Sequence, residues 1–297
     1  MQQNPDDLQK GGIQNLMLKQ LSKHIQDKLE KLLSNVGDMS LKRRARRIIE
    51  ELNPQEGEKV VDLGCGTGYY LYLLNNLPVS CLKLTGFDYD KKALDEAEVM
   101  LSDRKIDLLS GDMHKMVFKN NSFDKAVCSE VLEHLKDDTQ ALREVFRILK
   151  PGGVLVVSVP SINYPLFWDP INWILQHMFD THIKTGFFSG LWSGHIRLYS
   201  LEDLIRKFEK VGFKIEYAEE LTYWCLPFNH YLVNIVARLL YDVKISPKIA
   251  DKLSKFKESK KPFIIDLAFK IVNSLDYLNE IFPQKHGVNI FIKARKG

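Results

Sequence analysis

The sequence predicts an α/β fold built on a parallel sheet with helices on both faces, and three observations predict it. Short apolar runs rich in β-branched residues recur from residue 57 onward. Helix-length segments separate them, as crossover connections require. Carboxylates stand at the ends of three of these runs, around the crevice where open α/β sheets bind ligands.

The elements follow in order. Residues 13–36 place Leu18, Leu21, Ile25, Leu29, Leu32 and Val36 on one helical stripe. A second helix over 40–52 carries Leu41, Ala45, Ile48 and Leu52 on its apolar face, and its KRRARR run (42–47) reads as the solvated face. Strands are expected at 59–63, 82–87, 105–109, 123–128 and 153–159, with helices near 69–76, 90–101 and 137–149. The turn Lys150-Pro151-Gly152-Gly153 stops the third of these helices before the fifth strand. Residues 161–199 are aromatic, Gly-punctuated and long for a connection, which favours a functional lid over a passive link. Ser200, with Asp203 three residues on, caps a helix that Gly212 ends. Strands follow at 213–219 and 287–295, and between them 221–286 reads as a helical insertion. The organisation expected is thus an N-terminal helical segment (1–56) and a main domain (57–297).

Bulk properties narrow the classes. The chain has 297 residues, 45% hydrophobic and 27% charged, as in ordinary globular proteins. A net charge of +4 is too small to argue for nucleic acid, and none is expected as a partner. The four cysteines (65, 81, 128 and 225) form no CxxC pair, and the histidines have no ligand spacing, so no metal is expected. The polar N-terminus lacks a signal-peptide pattern, and no window reaches eighteen uninterrupted apolar residues, so the expected compartment is the cytoplasm. Nothing in the pattern specifies an oligomeric state.

The glycine loop carries the chemistry. "VVDLGCGTGYY" (60–70) has Gly64, Gly66 and Gly68, one residue short of the dinucleotide G-x-G-x-x-G spacing, and it lacks the Lys-Ser/Thr pair of an ATP-type loop. Asp62 closes the first strand, Asp88 ends the second in "LTGFDYD", and Asp112 follows the third in "LSGDMHK". Asp88 can accept from both hydroxyls of a ribose, and Asp112 from an adenine amine. Three carboxylates would repel a pyrophosphate, so the loop should touch an uncharged or cationic nucleoside.

The motifs "VVDLGCGTG", "GFDYD", "GDM", "FDKAVCSEVLEHLKD" and "RILKPGGVLVVSVP" stand in the order and spacing of the class I S-adenosylmethionine-dependent methyltransferases of small-molecule type, which this chain resembles. The resemblance covers 57–160 tightly and 200–220 and 287–295 loosely. It implies a Rossmann-like seven-stranded sheet with an antiparallel last strand and S-adenosylmethionine as cofactor. It assigns Gly64, Gly66 and Gly68 to the methionine part, Asp62 to the ammonium group, Asp88 to the ribose, Asp112 with Met113 to the adenine, and Cys65 and Tyr89 to the cofactor site at large. Ser129, Glu130 and Val131 should line the floor near the sulfonium.

Methyl transfer needs a base only when the acceptor must lose a proton. His134 in "EVLEHL" and His195 in "SGHIRLYS" are the candidates, against a structural role for each; Glu133 reads as a surface or orienting residue. Arg197 and Tyr199 share a side with His195 on an extended segment, and with Trp168 and Trp192 they are the candidate substrate contacts. In the insertion, two apolar helices flank a stretch (244–261) with seven lysines against Asp251 and Glu258. That pattern fits peripheral contact with an anionic membrane, or two helices packed on the sheet with a solvated connector. The expected activity is methylation of a small apolar or lipid-linked acceptor, phenolic or isoprenoid. A polar sugar- or nucleotide-linked acceptor, RNA, and a non-catalytic cofactor sensor are the alternatives.

Overall fold

A computed structural model describes residues 21–34, 36–102, 104–224, 255–256, 276–282, 284 and 286–297. Two helices, α1 (Lys23–Leu33) and α2 (Met39–Leu52), precede β1 (Lys59–Leu63), α3 (Tyr69–Asn76), β2 (Lys83–Asp88), α4 (Lys91–Met100) and β3 (Ile106–Ser110). Then come β4 (Phe123–Ser129), a 3₁₀ turn (Leu132–His134), α5 (Asp138–Ile148), β5 (Leu149–Pro160) and α6 (Pro170–Phe179). A 3₁₀ segment (Phe187–Trp192), α7 (Leu201–Val211), β6 (Phe213–Leu221), α8 (Leu278–Ile281) and β7 (Asn289–Lys296) complete the order.

The seven strands form one sheet in the order β3-β2-β1-β4-β5-β7-β6. β1 to β5 pair in parallel, and β7 runs antiparallel between β5 and β6. Alternate side chains of each strand point to opposite faces, and both faces are buried. Val61, Leu63, Ala126, Cys128, Leu155 and Val157 meet α5 and α7 on one side. Val60, Val127, Val154, Val156 and Phe291 meet α1 to α4 on the other. The expected seven-stranded architecture is therefore present.

Local chemistry sets the helix ends. The Asp38, Asp90 and Asp137 carboxylates and the Ser22 and Ser200 hydroxyls each accept a backbone N–H of the turn they open. Gly212 closes α7 at φ 110°.

Three expectations need correction. The turn Lys150-Pro151-Gly152-Gly153 is enclosed in β5 as an irregularity: Phe123 pairs with Leu149, and Lys125 already pairs with Val154. The 161–199 lid, where no helix is expected, carries one: Asp169 caps α6 with Pro170 at its first turn. The KRRARR run is not a solvated face. Lys42 is buried, Arg43 pairs with Asp276, Arg44 with Glu130, Arg46 with Glu30 and Arg47 with Glu219. Of the helix expected at 13–36, the described part is shorter, opening at the Ser22 cap and ending at Leu33. Residues 13–20 lie outside the described residues, as does most of the 221–286 insertion with its lysine-rich stretch. Among the described residues no helix is long and apolar enough to cross a membrane.

Candidate functional site

The site gathers at the C-terminal ends of β1, β2 and β4. After β1 the chain turns through Gly64, Gly66 and Gly68, all at positive φ (72°, 50° and 81°). A Cβ at Gly64 would lie 2.3 Å from Val131 Cγ2, so the turn packs directly against the end of β4. A Cβ at Gly66 would meet nothing within 4 Å, which leaves that stretch of backbone open to a ligand. The N–H groups of Gly64 and Cys65 both reach the Phe87 carbonyl, at 2.7 and 3.2 Å. The Gly66 N–H donates to Asp88 Oδ2 at 2.7 Å, and the Asp90 N–H to Asp88 Oδ1 at 2.9 Å. The loop and Asp88 are therefore mutually fixed.

Asp62 lies beneath this loop, 1% exposed, and its Oδ2 has no hydrogen-bond partner among the described residues. Burial first, and the nearby Asp88 second, push its carboxyl up to about 8. Leaving a charged carboxylate here without a partner would cost several kcal/mol, on the order of the effective penalty for a buried ion. The position fits a group that brings its own positive charge.

Asp112 is open to solvent and accepts both the backbone N–H of His114 (2.8 Å) and a contact from its ring Nδ1 (2.6 Å). Those two bonds hold its carboxyl below the usual range. Met113 is buried beside it, and Tyr89 is exposed. Ser129 ends β4 between Tyr70 Oη (2.9 Å) and Ser158 Oγ (2.8 Å). Glu130 follows at φ 57°, held by Asn289 Nδ2 at 3.3 Å and Arg44 at 3.4 Å.

The two candidate bases meet. Across 61 positions of sequence the rings of His134 and His195 stand edge to face, centroids 4.8 Å apart. His134 Nδ1 lies 2.9 Å from the Gly194 carbonyl, which can only accept, so Nδ1 carries the proton and Nε2 the lone pair. Glu133 was expected at the surface or in an orienting role. It is fully buried instead, 0% exposed, because the 3₁₀ turn after β4 directs it inward. Its carboxylate lies 3.9 Å from His195 Nε2, and neither oxygen has a hydrogen bond among the described residues. Burial, then the charge of Glu130, pushes it well above the usual carboxylate range. The sequence signal for Glu133 was present in "EVLEHL", but helical spacing misplaces it.

The lid has a core of its own. Tyr164, Trp168, Leu191, Trp192, Leu198 and Val288 cluster, so Trp168 and Trp192 are buried among lid residues. Asp169 accepts from Asn172 Nδ2 (2.9 Å) and from the Leu191 N–H (3.0 Å). A Cβ at Gly190 would fall 1.8 Å from Asp169 Oδ2, so only glycine permits this approach. Phe167 and Phe188 face solvent. Arg197 and Tyr199 direct their polar atoms at Asp138, at 2.8 and 2.6 Å, and Tyr199 also bonds the Leu132 carbonyl. In this structure both serve the joint between lid and α5.

Residues 61–157 match the family model described as a methyltransferase domain. Over 177 residues the chain is 28% identical to a demethylmenaquinone methyltransferase of Staphylococcus aureus, covering 57% of this chain and 73% of that one. Among solved structures, the [4+2]-cyclase SpnF aligns with a TM-score of 0.54 at 19% identity, over 85% of this chain and 79% of its own. A Haemonchus contortus phosphoethanolamine N-methyltransferase 2 in complex with S-adenosyl-L-methionine aligns at 0.53 and 19%, over 85% of this chain and 52% of its own. At such identities the structural likeness establishes the fold.

Proposed function

We propose that this chain, a class I S-adenosylmethionine-dependent methyltransferase, transfers the methyl group of its cofactor to a small apolar or lipid-linked acceptor of phenolic or isoprenoid type. The orphaned Asp62 carboxylate beneath an open glycine loop carries the cofactor part of this reading. In it, Asp62 meets the cofactor's ammonium group, while Gly64, Cys65, Gly66 and Gly68 supply close backbone. Asp88 accepts the ribose hydroxyls, Asp112 and Met113 hold the adenine with Tyr89 at the rim, and Ser129, Glu130 and Val131 form the floor. Bound there, S-adenosylmethionine supplies an electrophilic methyl group on a good, neutral leaving group.

The protein's own contribution is positioning, exclusion of water and management of one proton. His134 presents an unprotonated Nε2 beside His195, within a turn that opens from the end of β4. For an acceptor that must lose a proton, this pair is the base. An apolar acceptor is favoured by the lid. Its inner core is aromatic, and its outer surface exposes Phe167, Ile174, Met178, Phe179 and Phe188, an amphipathic pattern suited to a peripheral membrane contact. The likeness to a demethylmenaquinone methyltransferase points the same way.

The test is turnover with methyl-labelled cofactor against a reduced demethylated quinone in detergent, a sugar nucleotide and RNA. Label is expected in the organic extract. Label confined to the aqueous acceptors would overturn the apolar assignment.

A further inference from the structure

We propose that Glu133, His134 and His195 bind one divalent transition-metal ion of the zinc class, at the joint between the end of β4 and the lid. Each offers one ligand atom, and these atoms all lie within 4.8 Å of one another. A tetrahedral ion with bonds near 2.1 Å needs ligand atoms about 3.4 Å apart, so side-chain movements of up to about 1.4 Å complete the set. One carboxylate oxygen with two imidazole nitrogens suits zinc, cobalt or ferrous iron, and suits calcium or magnesium poorly.

Two independent features point to an ion. The Glu133 carboxylate is completely buried, with no hydrogen bond to either oxygen among the described residues, and its nearest basic group is His195 at 3.9 Å. The nearby cation does not satisfy it, because Arg44 is already paired with Glu130. His134, for its part, is fixed as a ligand. A backbone carbonyl bonded to Nδ1 sets the tautomer and leaves Nε2 as donor, the arrangement that metal-bound histidines favour. His134 is exposed and His195 partly so, which gives an ion its entry path and leaves coordination positions open toward solvent or an acceptor oxygen.

The ion would lower the pKa of a coordinated acceptor hydroxyl, in place of a base acting alone. That role rests on the methyltransferase reading, whereas ion binding does not. The full chain, stripped with chelator, is titrated with Co(II) and then Zn(II), following the visible cobalt bands. One cobalt per chain, displaced by zinc, is expected. Glu133→Gln and His195→Ala should each weaken binding by about 100-fold or more, while His177→Ala on the lid helix leaves it unchanged. S-adenosylmethionine binding by calorimetry should persist in all three, which reports that they are folded. No cobalt binding to the unmodified chain, or binding that survives both substitutions, overturns the site. A chain that binds cobalt and methylates nothing supports the site and overturns the acceptor reading alone.

Discussion

Asp138 and Asp62 are both buried carboxylates on the C-terminal side of the sheet, and their surroundings differ in kind. Burial raises the Asp138 carboxyl, but hydrogen bonds from Lys207, Tyr199 and Arg197 outweigh it and hold it below the usual range. Asp62 Oδ2 and both carboxylate oxygens of Glu133, five residues before Asp138, are buried with no hydrogen-bond partner among the described residues. A buried acid that the protein itself satisfies is holding two elements together. A buried acid left unsatisfied keeps a place for charge that arrives from outside.

The largest effect expected from this contrast concerns the histidines beside Glu133. If the pair handles the acceptor's proton, His134→Ala and His195→Ala each lower the rate of methyl transfer by about 10²–10⁴. Cofactor affinity stays at the unmodified level. Single-turnover rates that match the unmodified chain would leave positioning as the whole mechanism.

Next is Asp88, which among the described residues is satisfied by the backbone N–H groups of Gly66 and Asp90. If Asp88 accepts the two ribose hydroxyls as proposed, Asp88→Ala should weaken cofactor binding by about 1.5–3 kcal/mol. Unchanged affinity in a folded variant removes Asp88 from the ribose. Asp138→Ala should do the reverse. It lowers stability by about 1–3 kcal/mol in denaturant titrations and leaves cofactor affinity alone. A loss of affinity without a loss of stability would erase the distinction between the two regions.

How far the sequence foretold this contrast depends on the residue. β1 (Lys59–Leu63) and α3 (Tyr69–Asn76) match their expected bounds, because apolar runs and glycine punctuation are local signals. α6 was missed although Asp169-Pro170 announces it, since aromatic content and scattered glycines obscured its period. Asp62, Asp88 and the glycines could be placed together because each ends a strand of one sheet. The Glu133–His134–His195 group could not, because His195 arrives through the lid, whose path depends on contacts such as the Ile196 N–H to the Glu133 carbonyl. Arg44 was misread for a similar reason. Helical periodicity marks a charged face, but only tertiary structure shows that Glu130 stands opposite it.

Asp62 also gives the contrast a pH dependence. Its folded carboxyl is raised from about 4 to about 8, so between those values the native chain holds a proton that the unfolded chain has released. Its contribution to stability is therefore present below about pH 4 and is lost as pH rises through about 8. Binding a cationic group must expel the same proton, so cofactor affinity should rise up to about tenfold per pH unit until pH 8. Calorimetry in two buffers of different ionisation heat measures the released proton directly. Asp62→Asn should flatten the profile; a slope that persists in that variant assigns the proton elsewhere.

The smallest effect on the folded chain belongs to the lid's outer surface, where the contrast is between buried and exposed apolar groups. Tyr164, Trp168 and Trp192 are inside the lid, whereas Ile174, Met178 and Phe179 on α6 are exposed. Residues 174 and 178 are one helical turn apart and so share a face. Met178 and Phe179 are mostly exposed and Ile174 is 43% exposed, so replacing them with Gln, Ser and Ser should each alter stability by no more than about 1 kcal/mol. If that face rests on lipid, the same triple change lowers vesicle binding at a salt concentration that screens the lysine contribution. Apolar burial survives salt and electrostatic attraction does not, so the two can be separated on one preparation. Vesicle binding equal to that of the unmodified chain at high salt would show that α6 does not touch the bilayer. Loss of binding with turnover preserved on a detergent-dispersed acceptor would assign the outer face to docking and the inner aromatic cluster to the lid itself.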